Sequence, residues 1–209
     1  ADSYAPAQRV AELVSSPYRD YARHVLKVSY NIGADTSLML FGLQHGARRQ
    51  ADALAAESRV LARDYDIGAG QLHFVDGSGG GETRATNEAV VGLLQAMRTR
   101  PTFDSFFQAL PQLAVDGSLA FVTDFTADPA LAGALGQVHA KTGTFMEGHE
   151  DGTIWLAAQA LAGYIHTRSG RRLAYSLVVN NVGPIQGLDD TMSVFQDQGT
   201  ISAILWNAH

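Results

Sequence analysis

Cysteine is absent from this chain of 209 residues. The chain can therefore form no disulfide, no cysteine-ligated zinc site and no thiol nucleophile. The absence is compatible with a location in the cell envelope, because oxidases cannot mispair an exported protein that has no cysteine. Composition alone leaves the compartment open.

Positive charge is scarce as well. Fifteen lysine and arginine residues stand against 21 aspartate and glutamate residues, which gives a formal net charge of −6. A nucleic-acid-binding function therefore lacks electrostatic support. Hydrophobic residues make up 46% of the chain and charged residues 17%, so the chain can build the core of one domain, or of a large piece of one.

Long hydrophobic runs are missing too. The longest run, at residues 154–165, contains Gln159. A transmembrane helix needs roughly 18 or more apolar residues, so the sequence predicts no span. The chain opens with Ala-Asp-Ser-Tyr, without an initiator methionine or a signal sequence, which is typical of a mature form or of a piece of a longer protein.

The pattern of apolar residues changes along the chain. Helical spacing predicts helices at about residues 17–27, 38–45, 48–64 and 87–100. Strands are predicted at 137–145, 161–167 and 173–181, the last two joined by a tight turn. Asp189 is predicted to cap a closing helix whose sheet-facing residues are Met192, Phe195, Ile201 and Leu205. Helices followed by an antiparallel sheet indicate an α+β fold.

Lysine occurs only at positions 27 and 141. Lys141 begins a Lys-Thr-Gly motif on a predicted strand, which is one element of the active-site serine penicillin-recognising enzymes. An ammonium group and the Thr142 hydroxyl can hold a substrate carboxylate, and Gly143 lets a peptide lie against the strand edge. The alternative is a surface lysine at the end of a strand.

A second motif is Ser29-Tyr30-Asn31, which follows the first predicted helix. Alone, a Ser-x-Asn sequence is more typical of a helix-capping turn than of a catalytic site. Its place before Lys-Thr-Gly, with Asp76-Gly77-Ser78-Gly79 between the two, favours a functional interpretation.

The order of these motifs resembles the low-molecular-mass class C penicillin-binding proteins, the D-alanyl-D-alanine carboxypeptidase/endopeptidase family. The matching landmarks are Ser29-x-Asn31 with the acidic helix 34–38, the loop 76–79 leading into Arg84, Thr86 and Asn87, the segments 110–111 and 116–119, Lys141 to Thr144, and Leu161 to Tyr164. The resemblance spans roughly residues 16–182 and implies a β-lactamase/transpeptidase-like fold. We expect residues 1–209 to be the C-terminal portion of such a domain, helical over about 7–135, with the sheet and the closing helix over about 136–209.

The chain departs from the family pattern in three places. The family nucleophile lies in Ser-x-x-Lys, but here His24 precedes Lys27 by three positions and Val138 precedes Lys141. The stretch 146–155 is longer than the usual strand connection, and we expect an extra loop there. The arginine that the family has after the segment 116–119 is replaced by Ala-Phe-Val-Thr.

The resemblance also implies a role for each matched residue. Ser29 belongs to the network that delivers a proton to the leaving D-alanine, and Asn31 orients the acyl side of the substrate. Lys141 and Thr142 hold the terminal carboxylate of D-Ala-D-Ala or of a β-lactam. The backbone N–H of Thr144 forms half of the oxyanion hole, and the N–H of the missing serine forms the other half.

Other candidate residues have less support. Ser78 lacks the Gly-x-Ser-x-Gly context of a hydrolase nucleophile and fits a structural turn. The segment His149-Glu150-Asp151 has no second ligand cluster, so no metal or other cofactor is expected. His139 is predicted to be a packed neighbour of the strand motif.

These observations lead to one function and two alternatives. We expect a serine-type D-alanyl-D-alanine carboxypeptidase/endopeptidase of the cell envelope that acts on peptidoglycan stem peptides and is acylated by β-lactams. The 209 residues alone are expected to be inactive and to pair with an N-terminal part of the same protein or to self-associate. The alternatives are a non-catalytic peptidoglycan- or β-lactam-binding module, and a β-lactamase or esterase on the same scaffold.

Overall fold

The described part of the chain, residues 6–8 and 10–209 of the computed structural model, contains six α-helices, five β-strands and four short 3-10 helices. The helices are α1 (Tyr18–Val28), α2 (Asn31–Gln44), α3 (Gln50–Tyr65), α4 (Asn87–Met97), α5 (Phe103–Ala109) and α6 (Leu188–Ala208). The strands are β1 (Leu72–His73), β2 (Arg84–Ala85), β3 (Val138–Gly148), β4 (Ile154–His166) and β5 (Arg172–Ile185). The α+β order of helices before the main sheet is confirmed.

The main sheet is antiparallel with the strand order β3-β4-β5. Val138 and Ala140 of β3 lie in one buried cluster with Leu161 and Ile165 of β4 and Ala203 of α6. Because side chains alternate across a strand, these residues define the sheet face that α6 covers.

The opposite face packs against α4 and α5. Tyr164 of β4 is buried there with Leu94 and Leu110, and its hydroxyl donates to the Leu94 carbonyl at 2.7 Å. Burial raises the pKa of Tyr164 to about 12, so the phenol stays protonated. The sheet is therefore a central layer with helices on both sides.

Small residues and polar residues form the buried face of α6. That face consists of Thr191, Val194, Gln198, Gly199, Ser202 and Ala203. Phe195 and Leu205 pack against the core as predicted, but Ile201 is exposed, so its prediction was wrong. At Gly199 the helix lies so close to Val122 that no side chain fits, since an added Cβ would stand 2.2 Å from a Val122 methyl group. The cap is also displaced, since α6 begins at Leu188 after Gly187.

The connection expected at residues 146–155 is mostly strand. Met146, Glu147 and Gly148 continue β3 and pair with Leu156, Trp155 and Ile154 of β4, after a register shift that follows Phe145. The loop itself spans only residues 149–153. The prediction of an extra loop was wrong, because cross-strand pairing extends a hairpin past the point where apolar alternation ends.

No helix within residues 6–8 and 10–209 is long and apolar enough to cross a membrane.

A substitution at Gly163 tests the packing of β3 against β4. An added Cβ would stand 2.1 Å from the His139 carbonyl oxygen and 2.6 Å from the Ala140 Cα, and neither is a flexible side-chain end. We expect Gly163→Ala to lower the free energy of unfolding by about 3 kcal/mol, measured by urea denaturation. Gly148→Ala in β3 is the control, since nothing lies within 4 Å of its added Cβ. Equal stability of the two variants would contradict this packing.

Candidate active site

A sharp corner between α1 and α2 carries the Ser-x-Asn motif. Ser29 ends α1 in the left-handed conformation, with φ of 57°, and its backbone N–H donates to the Val25 carbonyl. A non-glycine residue pays about 1 kcal/mol or more for that conformation. Gly33 lets the corner close, because a Cβ there would stand 2.5 Å from a Val25 methyl group and 2.7 Å from the Tyr30 ring. Asn31 is the first residue of α2 and is exposed.

The corner meets the Lys-Thr-Gly strand directly. The Lys141 ammonium donates to the Ser29 hydroxyl at 2.8 Å, across a sequence separation of 112 residues. It also donates to the carbonyl of Thr142. Both acceptors are neutral oxygens, and burial lowers the pKa of Lys141 to about 8. The amine therefore lies in the described structure without a carboxylate partner.

The other lysine has such a partner. The Lys27 ammonium lies 2.6 Å from both carboxylate oxygens of Asp116 and 2.6 Å from the Leu110 carbonyl oxygen. Asp116 also accepts from the backbone N–H of Gln112 at 2.9 Å. Gly117 lets the chains approach closely, since a Cβ there would stand 2.6 Å from the Lys27 carbonyl oxygen. The end of α1 is thereby held to the segment 110–117.

That segment covers the outer edge of β3, but only over its first residues. The Leu113 N–H donates to the Val138 carbonyl and the Ala140 N–H donates to the Pro111 carbonyl, each at 2.9 Å. Backbone polar groups alternate in direction along a strand. The N–H groups of Thr142 and Thr144 therefore point to the same edge, beyond the point where the covering segment ends.

The side chains of Thr142 and Thr144 lie on the same face of β3 as those of Val138 and Ala140. The Thr142 hydroxyl is buried and lies 2.8 Å from the Ser118 hydroxyl. The Thr144 hydroxyl donates to the side-chain oxygen of Gln159 at 2.7 Å. Ser118 and Gln159 therefore fix the strand that carries Lys141.

Gly143 lies between these threonines and is exposed. An added Cβ would meet only the Ala160 methyl group, at 3.7 Å, which is an ordinary contact. The packing of the described residues therefore leaves room for a side chain at this position. A glycine here keeps open the space beside Lys141.

The Asp-Gly-Ser-Gly loop supports the start of α2. The Gly77 N–H donates to the Asp35 carboxylate at 2.8 Å, and a Cβ at Gly77 would stand 2.7 Å from the Ala34 carbonyl oxygen. Partial burial raises the pKa of Asp76, but backbone N–H groups, among them that of Gly79 at 2.6 Å, outweigh it and lower the pKa. Ser78 has the place of a turn residue in this loop.

The two remaining histidine candidates pack against aromatic rings. His139 stacks on Phe107 with ring centroids 4.1 Å apart, and burial lowers the pKa of His139. His149 stacks on Trp155 at 5.2 Å. Residues 6–8 and 10–209 contain no group of three histidine, aspartate or glutamate side chains that could hold a metal ion.

Several residues that shape the site escaped the sequence analysis. They are Lys27, which was considered only for a preceding serine, and Asp116, Ser118 and Gln159. The segment 116–119 was noticed as a landmark without a partner. The sequence carries no signal for the pair with Lys27, because the two residues are 89 positions apart and the chain has many more arginines than lysines.

Known proteins share both the sequence pattern and the fold. The profile of the D-Ala-D-Ala carboxypeptidase 3 (S13) family matches residues 1–198. Carboxypeptidase DacB of Mycolicibacterium smegmatis is 27% identical over 179 residues, which cover 84% of this chain and 36% of that protein.

Solved structures agree in fold. Penicillin-binding protein 4 (dacB) of Haemophilus influenzae superposes with a TM-score of 0.69 at 19% identity, covering 90% of this chain and 39% of that one. A penicillin G-acylated predatory endopeptidase of Bdellovibrio bacteriovorus, in complex with an immunity protein, gives 0.64 at 17% identity, covering 93% and 46%. The chain thus spans less than half the length of these relatives, and its fold is of the β-lactamase/transpeptidase type.

The Lys27–Asp116 ion pair is expected to stabilise the fold. The Lys27 side chain is 14% exposed, so Lys27→Met would remove the ammonium that the Asp116 carboxylate and the Leu110 carbonyl share. We expect a loss of about 2 kcal/mol in the free energy of unfolding. Arg63→Gln is the control, because the Arg63–Asp64 pair has the same 2.6 Å separation but lies in solvent, and no measurable loss is expected. Equal losses would contradict the role of Lys27.

The low pKa of Lys141 can be measured directly. We expect its ε-methylene carbon signal to titrate near pH 8 in the folded protein, because burial disfavours the charged amine. Because the amine loses its positive charge above its pKa, its binding of an anion weakens as the pH rises through about 8. Carbon-13 NMR of lysine-labelled protein gives the value, and the loss of one signal in Lys141→Ala assigns it. Titration of that signal near 10.5 would contradict the burial of the amine.

Proposed function

The chain belongs to the D-Ala-D-Ala carboxypeptidase 3 (S13) family, and we propose that it is the C-terminal portion of a serine-type D-alanyl-D-alanine carboxypeptidase/endopeptidase. The substrates are peptidoglycan stem peptides, and β-lactams acylate the complete enzyme. One observation carries the proposal: the 2.8 Å hydrogen bond from Lys141 to Ser29, which joins the two motifs across the fold.

In this proposal Lys141 binds the terminal carboxylate of the substrate. Among the described residues its amine has only neutral oxygen partners, so the positive charge is available to an anion. Lys27 cannot take this role because Asp116 already neutralises it. The acidic chain thus keeps one uncompensated cation at the open edge of β3.

The substrate peptide lies along that edge as an added strand. The covering segment stops at Ala140, which leaves the outward N–H groups of Thr142 and Thr144 for a ligand. The Thr144 N–H then stabilises the oxyanion of the tetrahedral intermediate. Gly143 keeps the approach free of a side chain. The Thr142 hydroxyl reaches the carboxylate by turning away from its partner Ser118.

Ser29 and Asn31 serve the acyl-transfer step. The Ser29 hydroxyl, held by Lys141, relays a proton to the amine of the leaving D-alanine. Asn31 is exposed and its side chain forms no hydrogen bond with another residue of the described ranges, so its amide is free to orient the acyl side of the substrate.

The nucleophile comes from outside the 209 residues. Neither lysine follows a serine by three positions, so this chain has no Ser-x-x-Lys. A serine of that motif attacks the carbonyl carbon, the C–N bond to D-alanine breaks, and water then hydrolyses the acyl-enzyme. Val28, Tyr30 and Ile32 are 55%, 43% and 66% exposed around the corner, and the outer edge of β5 has no partner strand among the described residues. These surfaces accept the missing part.

The site is extracytoplasmic, because peptidoglycan lies outside the cytoplasmic membrane. The acylated Bdellovibrio endopeptidase supports the β-lactam part of the proposal, since a relative of the same fold is acylated by penicillin G.

The test uses the longer protein that contains this chain. We expect it to release D-alanine from an N-acylated peptide ending in D-Ala-D-Ala and to be labelled stoichiometrically by a fluorescent penicillin. Lys141→Ala and Ser29→Ala should each lower kcat/KM by roughly 100-fold or more. The exposed Ser193→Ala on α6 is the control, and its activity should match that of the unmodified protein.

Other outcomes point to the alternatives. Binding of penicillin without covalent labelling indicates a non-catalytic module. Rapid turnover of a chromogenic cephalosporin indicates a β-lactamase or an esterase. Covalent labelling of the 209-residue chain alone would contradict the external nucleophile.

A further inference from the structure

A cavity separate from the Ser29–Lys141 pair lies on the sheet face that packs against α4 and α5. It is formed where α4 ends, α5 begins and β4 turns into β5, and none of the site residues above lines it. Its volume is about 160 Å³, and it is partly open to solvent. Drug-sized ligands occupy sites of roughly 300–1,000 Å³, so this smaller cavity admits only a small ligand, about the size of a single ring.

Three aromatic rings line this cavity. The Phe103 and Phe107 centroids lie 5.4 Å and 5.8 Å from that of Tyr164, and 5.8 Å from each other. The Tyr164 hydroxyl is used by the Leu94 carbonyl. The rings therefore offer an apolar surface with no free polar group of their own.

Two guanidinium groups line the same cavity. Arg98 follows the last residue of α4, and Arg172 begins β5 opposite His166 in the strand register. Within residues 6–8 and 10–209 neither arginine side chain forms an ion pair or a hydrogen bond. Asp104 also lines the cavity and lies more than 4.0 Å from both guanidinium groups. Two cations and one carboxylate leave a net charge that matches a monoanion.

We propose that this cavity binds a carboxylate carried on a flat, apolar body, of the chemical class of the aryl carboxylates. The carboxylate lies between Arg98 and Arg172, where planar guanidinium groups can bind it in a bidentate manner. The apolar body packs on the Phe103 and Phe107 rings. Asp104 disfavours a dianion such as phosphate.

His166 reports on this binding. It lines the cavity, and burial and then the nearby Arg172 lower the pKa of its imidazole. A carboxylate bound beside it favours the imidazolium form and raises the pKa again.

Benzoate is the probe, added to the full 209-residue chain. We expect a saturable shift of the His166 Cε1–H signal in NMR and a higher His166 pKa at saturation. Acetate should bind at least tenfold more weakly, because it lacks the ring, and inorganic phosphate should also bind more weakly. Arg98→Gln and Arg172→Gln should each weaken benzoate binding about tenfold or more, whereas Arg171→Gln, the neighbouring exposed arginine outside the lining, should leave it unchanged.

Three results would overturn the proposal. They are a shift that does not saturate, equal affinity for benzoate and acetate, and unchanged binding in both cavity variants. Phe103→Leu separates the two parts of the site, since it should reduce the preference for benzoate over acetate while acetate binding persists. Unfolding curves of each variant confirm that the fold is intact.

Discussion

The ion pair between Lys27 and Asp116 is the constraint on which the site depends. It joins the end of α1 to the segment 110–117, and that segment pairs with β3 up to Ala140. Ser29 lies two residues beyond Lys27, so the same pair holds its hydroxyl beside Lys141. Without it, α1 would still contact α5 and the segment 117–119, but the Leu110 carbonyl and the Asp116 carboxylate would lose the ammonium that fixes the end of α1 next to the Lys141–Ser29 hydrogen bond.

The two lysines of the chain have different roles. Lys27 is matched by a carboxylate and serves the fold. Lys141 is held by neutral oxygens. Its pKa is lowered because burial disfavours a cation that has no carboxylate partner. Such a cost is commonly tolerated where a ligand supplies the missing charge, and it is common at functional sites.

The sequence was sufficient for the parts of this account that rest on local pattern. The α+β order and the strands around Lys141 follow from short-range periodicity. The sequence was insufficient where contacts between distant segments determine the structure. The hairpin beyond Phe145 and the exposure of Ile201 depend on which surfaces meet, and the orientation of the Thr142 hydroxyl toward Ser118 depends on a segment 24 residues away.

The most direct test of the account is to locate the residue that penicillin acylates. The longer protein is treated with penicillin G, digested, and analysed by peptide mass spectrometry. The account predicts an acyl group on a serine outside these 209 residues, followed by lysine three positions later. Acylation of a serine inside the chain, Ser29 or Ser78 for example, would contradict it.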